Sequence, residues 1–278
     1  MKIETCSVFP VICLCVISLI TPCSFAADQD EGLSDSQAEA REILMDMGKF
    51  LSQTQRFSVN IRNGYDVVQE SGQKIEFNDK RKVIVSRPDH LRIDVEKSNG
   101  NRNLSLIDGK NITVFSITEN VYAQAPSPGD LDAAIEYLLK DLHMRLPLAM
   151  LLITQLPAEL EHRVKNIDYV EETNIFGVPA HHLAGRTETV DFQIWIKNDC
   201  NPLPLRIVLT YKNADGQPQF WAQFSDWNLS PEITDSLFTF TPPEGAKKIN
   251  FLARLNEMGI KAKEPTAPTE EQSAGEQP

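Results

Sequence analysis

Basic side chains are the minority charge in this 278-residue sequence: 27 Lys and Arg stand against 39 Asp and Glu, a formal net charge of −12. That excludes sequence-independent nucleic-acid binding, which requires Lys and Arg to neutralise phosphates. It also excludes docking on anionic lipid through a polybasic patch. Cysteine is missing where a disulfide framework would need it. Cys6, Cys13, Cys15 and Cys23 crowd the start of the chain, and only Cys200 follows. With that start removed, no internal disulfide is available. Cys200 lies in the turn-like stretch Asn198-Asp-Cys-Asn-Pro202, with no thiolate-stabilising base in its neighbourhood, and is expected to be structural. Long apolar runs are absent as well. After Ile20 the longest is Leu146–Ile153, well short of the roughly 20 residues that span a bilayer.

Catalytic patterns are equally scarce. There is no His-Glu-x-x-His, Gly-x-Ser-x-Gly, P-loop or Gly-x-Gly-x-x-Gly. His181-His182 is the only histidine pair, and neighbours on a strand point to opposite faces, so the two cannot chelate one ion. Glu171-Glu172 and Glu270-Glu271 are adjacent carboxylates, not a pair facing across a cleft as glycoside hydrolysis requires. The expectation is a non-catalytic protein with no metal and no cofactor.

What is present begins with an export signal. Lys2 precedes an apolar stretch, Val8–Ile20, and Ser24-Phe25-Ala26 ends in small residues at the cleavage positions. Cleavage near Ala26/Ala27 would release the chain into the periplasm. An alternative is an outer-membrane lipoprotein acylated at Cys23, since Ile20-Thr-Pro-Cys23 resembles a lipobox with Pro22 in place of a small residue.

Next, Ser34 and Gln37 form a capping box, and Ile43, Leu44, Met47, Phe50 and Leu51 recur at helical spacing, predicting a helix over about 35–54. The period then falls to two. Strands are predicted from Phe57 to Val67, over 74–86, at 91–95, 102–107 and 111–124, with hairpin turns at Asn99-Gly100 and Asp108-Gly109. A lid region at 130–156 interrupts the sheet. Leu131, Ala134, Ile135, Leu138, Leu139 and Leu142 mark its first helix, and a second, apolar almost all round, is predicted to start at Pro147 and run through Ile153. Strands resume from about 164, at 190–196, 205–211 and 220–227, and Phe238-Thr-Phe240 is expected to close the sheet. Ten or eleven strands joined by short turns give a curled antiparallel sheet. Three segments result: a signal peptide over 1–26, a folded domain over 27–260, and a disordered acidic tail over 261–278.

Three stretches then become familiar. Val85-Ser-Arg-Pro-Asp-His-Leu-Arg92, Leu106-Ile-Asp-Gly-Lys110 and Phe238-Thr-Phe-Thr-Pro-Pro-Glu-Gly245 resemble, in order and spacing, the LolA/LolB lipoprotein-carrier superfamily. More narrowly, they resemble an uncharacterised family of predicted periplasmic proteins that shares its fold. The resemblance covers about 36–249. It implies a half-open antiparallel β-barrel with helices across its mouth as a lid, and an apolar cavity for acyl chains. It also implies that Arg87, before Pro88, latches the lid by hydrogen bonds to helix carbonyls. The sequence departs from the carrier in its length, its larger insert at 131–156 and its acidic tail.

The expected function is a periplasmic binding protein holding a lipid-like apolar ligand, an acyl chain or lipoprotein, as carrier or sensor. The alternative is a protein-interaction or envelope-stress signalling module with a side-chain-filled barrel. Candidate ligand-binding residues are Leu138, Leu142 and Leu151 of the lid, with Trp195, Trp221, Phe224 and Trp227 of the sheet; the candidate latch is Arg87. Expected partners are lipid or lipoprotein acyl chains and a membrane-anchored envelope protein, with no nucleic acid, and the chain is expected to be a monomer.

Overall fold

A computed structural model describes residues 34–144, 146–252 and 255. The export signal, Cys23 and the acidic tail lie outside the described residues.

The first helix, α1 (Asp35–Gln53), starts where the capping box places it: Ser34 Oγ accepts the Gln37 N–H and Gln37 Oε1 accepts the Ser34 N–H. Its buried residues Ala40, Leu44, Met47, Gly48 and Leu51 form one stripe. Six strands follow as an antiparallel meander: β1 (Arg56–Val68), β2 (Lys74–Ser86), β3 (His90–Lys97), β4 (Arg102–Asp108), β5 (Asn111–Ser116) and β6 (Val121–Pro126). A second meander holds β7 (Asn166–Ile175), β8 (Val178–Arg186), β9 (Val190–Lys197), β10 (Pro204–Tyr211) and β11 (Gln219–Asn228).

Pairing of β1 with β11 fuses the two meanders into one sheet. The two-residue β12 (Lys247–Lys248) adds in parallel to β6, giving the order β12-β6-β5-β4-β3-β2-β1-β11-β10-β9-β8-β7 among the described residues. The outermost strands do not pair with each other, so the sheet is an open half-barrel. No helix among the described residues is long and apolar enough to cross a membrane.

Three sequence expectations are corrected. The predicted strand over 111–124 is two strands, β5 and β6, because the chain turns at Thr118–Asn120 with Asn120 at φ 54°. Asn tolerates that left-handed conformation better than most residues. Phe238-Thr-Phe240 is not a strand. Phe240 instead packs on Phe115 and Tyr122, covering a small cluster with Leu104 and Leu106 on the outer face. The sheet ends with β12.

The lid is also rearranged. Its first helix, α2 (Leu131–Glu136), is capped by Asp130, whose Oδ1 accepts the Ala133 N–H, and it runs on into a turn of π-helix at Tyr137–Asp141. The second helix is not at Pro147. There the chain forms only a short 3₁₀ turn, Ala149–Leu152, and the helix proper is α3 (Leu156–Arg163), with Pro157 in its first turn. Leu148, at the entry to the 3₁₀ turn, has no side-chain acceptor to cap a longer helix.

The inner face of the sheet is covered in two ways. Over β7 and β9 it carries α1, which in turn packs on α3. Over β1–β5 and β10–β11 it is roofed by the irregular lid segment and by Phe251 and Leu255. The second half encloses the large apolar cavity.

Candidate functional site

The cavity has a volume of about 670 Å³, inside the range of roughly 300–1,000 Å³ found for ligand sites. Period-two alternation builds its wall. Val59 and Ile61 of β1, Val83 of β2, Leu91 and Ile93 of β3, and Phe220 and Phe224 of β11 all face inward. Ile135, Leu138, Met144, Leu151 and Leu152 supply the roof. A continuous run of aliphatic and aromatic side chains around an unfilled volume favours an apolar occupant.

Four of the seven candidate residues line this cavity: Leu138, Leu151, Phe224 and Trp227. Trp227 reaches it through an irregularity that strict alternation does not anticipate. Phe224 and Trp227 are three residues apart and would fall on opposite faces. A bulge at Asp226, at φ 54°, shifts the β1–β11 register, and Asn60 Nδ2 donates to Asp226 Oδ2 at 2.8 Å. Trp227 then stacks on Phe224 with ring centroids 5.8 Å apart and donates its indole N–H to the Pro204 carbonyl at 3.1 Å.

The other three are not on the cavity wall. Leu142 is wholly buried in the core beside it. Leu142 N–H bonds the Tyr137 carbonyl at 3.0 Å, five residues back, and this wider turn moves Leu142 off the face of Leu138. Trp195 and Trp221 occupy the outer face of the sheet. Trp195 stacks on His182 at 4.1 Å, and the Arg206 guanidinium lies 5.8 Å from the Trp195 ring and 5.4 Å from that of Trp221. Trp221 donates to Glu76 Oε2 at 3.1 Å.

This outer ladder packs against the sheet backbone, away from the cavity. The Trp221 ring covers Gly64, where an added Cβ would lie 2.5 Å from the indole nitrogen. Gly64→Val is therefore expected to lose about 1–3 kcal/mol despite the better strand propensity of valine, as read by urea unfolding followed through tryptophan fluorescence.

The histidines separate as alternation requires: His181 Nδ1 meets the Tyr169 hydroxyl at 3.0 Å, while His182 lies under Trp195. Cys200, expected to be structural, is a free thiol exposed in the β9–β10 connection, in a turn closed by the Asn201 N–H on Asp199 Oδ1.

At one end of the cavity stands Arg87, in the turn between β2 and β3. Its side chain is 3% exposed. Nε donates to the Thr54 carbonyl at 3.2 Å and Nη1 to the Leu152 carbonyl at 2.7 Å, with Asp132 Oδ1 3.9 Å from Nη1. Burial lowers the guanidinium pKa and Asp132 partly offsets this. Asp132 also accepts the N–H and hydroxyl of Thr154. The Leu131 N–H bonds the Pro88 carbonyl at 2.8 Å. One buried cation thus ties together the end of α1, the start of α2 and the 3₁₀ turn of the roof.

The opposite end of the cavity holds residues that the sequence reading did not single out. Asp79, Arg81 and Lys97 line it from β2 and β3. Their signal was available: counting back in twos from Val85 and Val83 puts Arg81 and Asp79 on the apolar face. Here the roof stops, because Tyr65 and Phe77, both facing inward, are 38% and 43% exposed and stack at 6.0 Å. The cavity is bridged by Arg87 at one end and open at the other.

Several solved structures share a fold outline with the chain. Lipoprotein LppX of Mycobacterium tuberculosis aligns with a TM-score of 0.45 and 13% identity, over 72% of this chain and 100% of that one. A LolA superfamily protein of Nitrosomonas europaea gives 0.36 and 13%, over 72% and 97%. The Pseudomonas aeruginosa MucA/MucB complex gives 0.38 and 19%, over 73% of this chain and 61% of that one. No curated protein matches the sequence. The family described as "Predicted periplasmic protein (DUF2092)" matches residues 40–252, most of the chain and nearly all of the described sheet and lid. The chain belongs to this DUF2092 family of predicted periplasmic proteins.

Proposed function

We propose that this protein holds a lipid-like apolar ligand, the acyl chain of a lipid or lipoprotein, in the half-barrel cavity, as a non-catalytic periplasmic carrier or sensor. The observation that carries the reading is the cavity of about 670 Å³ between the inner face of the sheet and the lid. The rival, an interaction module, rests on an interior filled by side chains, and a volume of this size favours the ligand instead. Loading is a population shift. The roof segment containing Leu138 and Leu151 yields to the ligand, so net affinity is the ligand's contacts less those the roof gives up. A membrane-anchored envelope protein would supply or receive the cargo.

Native mass spectrometry of protein expressed in a Gram-negative periplasm, followed by organic extraction, tests this. A mass adduct that extracts as phospholipid or fatty acid is expected, on a chain beginning near Ala27. An apo mass that persists after incubation with both lipid classes would overturn the proposal.

A further inference from the structure

The open end of the cavity is not apolar. Across β1, β2 and β3, Asn63, Asp79 and Lys97 stand in register on the inner face, with Arg81 two residues along from Asp79. Charged side chains on the inner face of a barrel are costly unless each finds a partner. The Asp79 carboxylate, 6% exposed, has one: Arg81 Nε reaches Oδ1 at 2.8 Å and Nη2 reaches Oδ2 at 3.0 Å. Both carboxylate oxygens are thus occupied, and Nη1 of the fork is left over.

Lys97 lines the same cavity, and its ammonium has no hydrogen-bond or ion-pair partner among the described residues. Asn63 is 0% exposed, and neither its amide nitrogen nor its amide oxygen has a partner. A buried amide left wholly unsatisfied is rare in a folded protein, and Asn63 stands beside Asp79 in the sheet register. Among the described lining residues the further carboxylate is Asp66, whose Oδ2 accepts the backbone N–H of Gln219 at 2.9 Å, a bond that does not neutralise it. The charges at this end, Asp66 and Asp79 against Arg81 and Lys97, balance. The donors left without an acceptor among the described residues are the Lys97 ammonium and the free edge of Arg81, so what is offered to a ligand is a pair of cationic donors.

We propose that this end is a headgroup subsite: an anionic amphiphile places its carboxylate or phosphate oxygens against Lys97 and Arg81, with its tail running down the cavity toward the Arg87 latch. This rests on the reading that the cavity takes acyl chains and adds the headgroup charge and the orientation. Two sources share the chemistry, a fatty acid and an anionic phospholipid. The length of the wall supports the orientation, since the aliphatic lining is continuous from Ile61 and Val83 to the roof, while the charges gather where the roof stops.

The experiment is competitive displacement of a fluorescent acyl probe from the intact mature chain by three ligands: oleate, lysophosphatidylglycerol and neutral monoolein. A charge-assisted contact predicts a preference of about tenfold or more for an anionic ligand over monoolein. Lys97→Met, which keeps most of the stem, is expected to reduce that preference at least severalfold by weakening the anionic ligands more than monoolein, and Lys97→Arg to restore it. Preference for oleate alone assigns a carboxylate, and preference for the lysophospholipid alone a phosphate. Equal wild-type affinity for all three, or equal loss of all three in Lys97→Met, overturns the subsite while leaving the cavity reading intact. Failure of every ligand, monoolein included, overturns both.

Discussion

Replacing Arg87 by Met is expected to cost about 2–4 kcal/mol of folding stability, the range for losing two charge-assisted hydrogen bonds and leaving buried acceptors unpaired. The acceptors are the Thr54 carbonyl, just past the end of α1, and the Leu152 carbonyl, at the end of the 3₁₀ turn. Helix ends carry orphan carbonyls that need an outside donor, and a planar fork serves two at once, which a lysine ammonium does poorly. Arg87→Lys is thus expected to fall between wild type and Met. Asp132 would keep its bonds from Thr154 but lose the cation 3.9 Å away. Because the guanidinium joins α1 to the roof, the loss should be felt first in the lid. Amide hydrogen exchange over 146–156 is expected to accelerate well before exchange in β1 or β2. If those segments keep their relative protection in the Met variant, Arg87 is a strand-end cap and not a latch.

Arg87 was legible in advance only because it stands before Pro88 in a stretch that resembles a known family. Nothing in its local pattern shows that two distant carbonyls converge on it. The strands were legible on simpler grounds. Phe57, Val59 and Ile61 alternate with polar residues, and β1 forms along that alternation. Where the reading failed, a physical reason can be given for each case. The apolar run Leu146–Ile153 looked like a buried helix because apolar residues filled every side. It is the cavity roof, held by tertiary burial in a 3₁₀ turn that no helical cap begins. The Asp226 bulge left no hydrophobic trace, so strict alternation would misplace Trp227.

Trp195 and Trp221 are expected at the cavity as members of an aromatic cluster with Phe224 and Trp227, but they lie on the outer face. Their strand parity put them with Gln193 and Gln223, on the face where His182, Arg206 and Glu76 cover them. The same parity, applied with equal weight to polar residues, would have placed Asp79 and Arg81 inside. Hydrophobic pattern reading looks for apolar residues on the apolar face, and a charge there registers as noise, although it is where specificity can reside.

The second large effect is expected at Leu138, which is 9% exposed and projects from the π turn into the cavity. Leu138→Asp removes apolar contact and sets a carboxyl among Ile135, Met144 and Leu151. A loss of about 3 kcal/mol or more at neutral pH is expected from the lost burial and the desolvated charge together. The pH dependence identifies the cause. Burial raises the folded-state pKa of the new carboxyl above its unfolded value of roughly 3.9. The folded state then binds the proton more tightly, so stability falls as pH rises through the window between the two pKa values. Below about pH 4, where both states are protonated, the electrostatic part of the loss vanishes and only the cavity part remains. Leu138→Ala, lacking a charge, is expected to show the cavity part at every pH.

The chain has an escape from this penalty, which is to swing the roof outward and let the carboxylate reach water. Above the window the Asp variant is therefore expected to bind an apolar dye more strongly than wild type, and below it the difference should shrink. A penalty independent of pH, with dye binding unchanged, would mean that position 138 is packed solid and that the roof does not move. The cavity would then be a fixed void, and a population shift could not be how ligand enters.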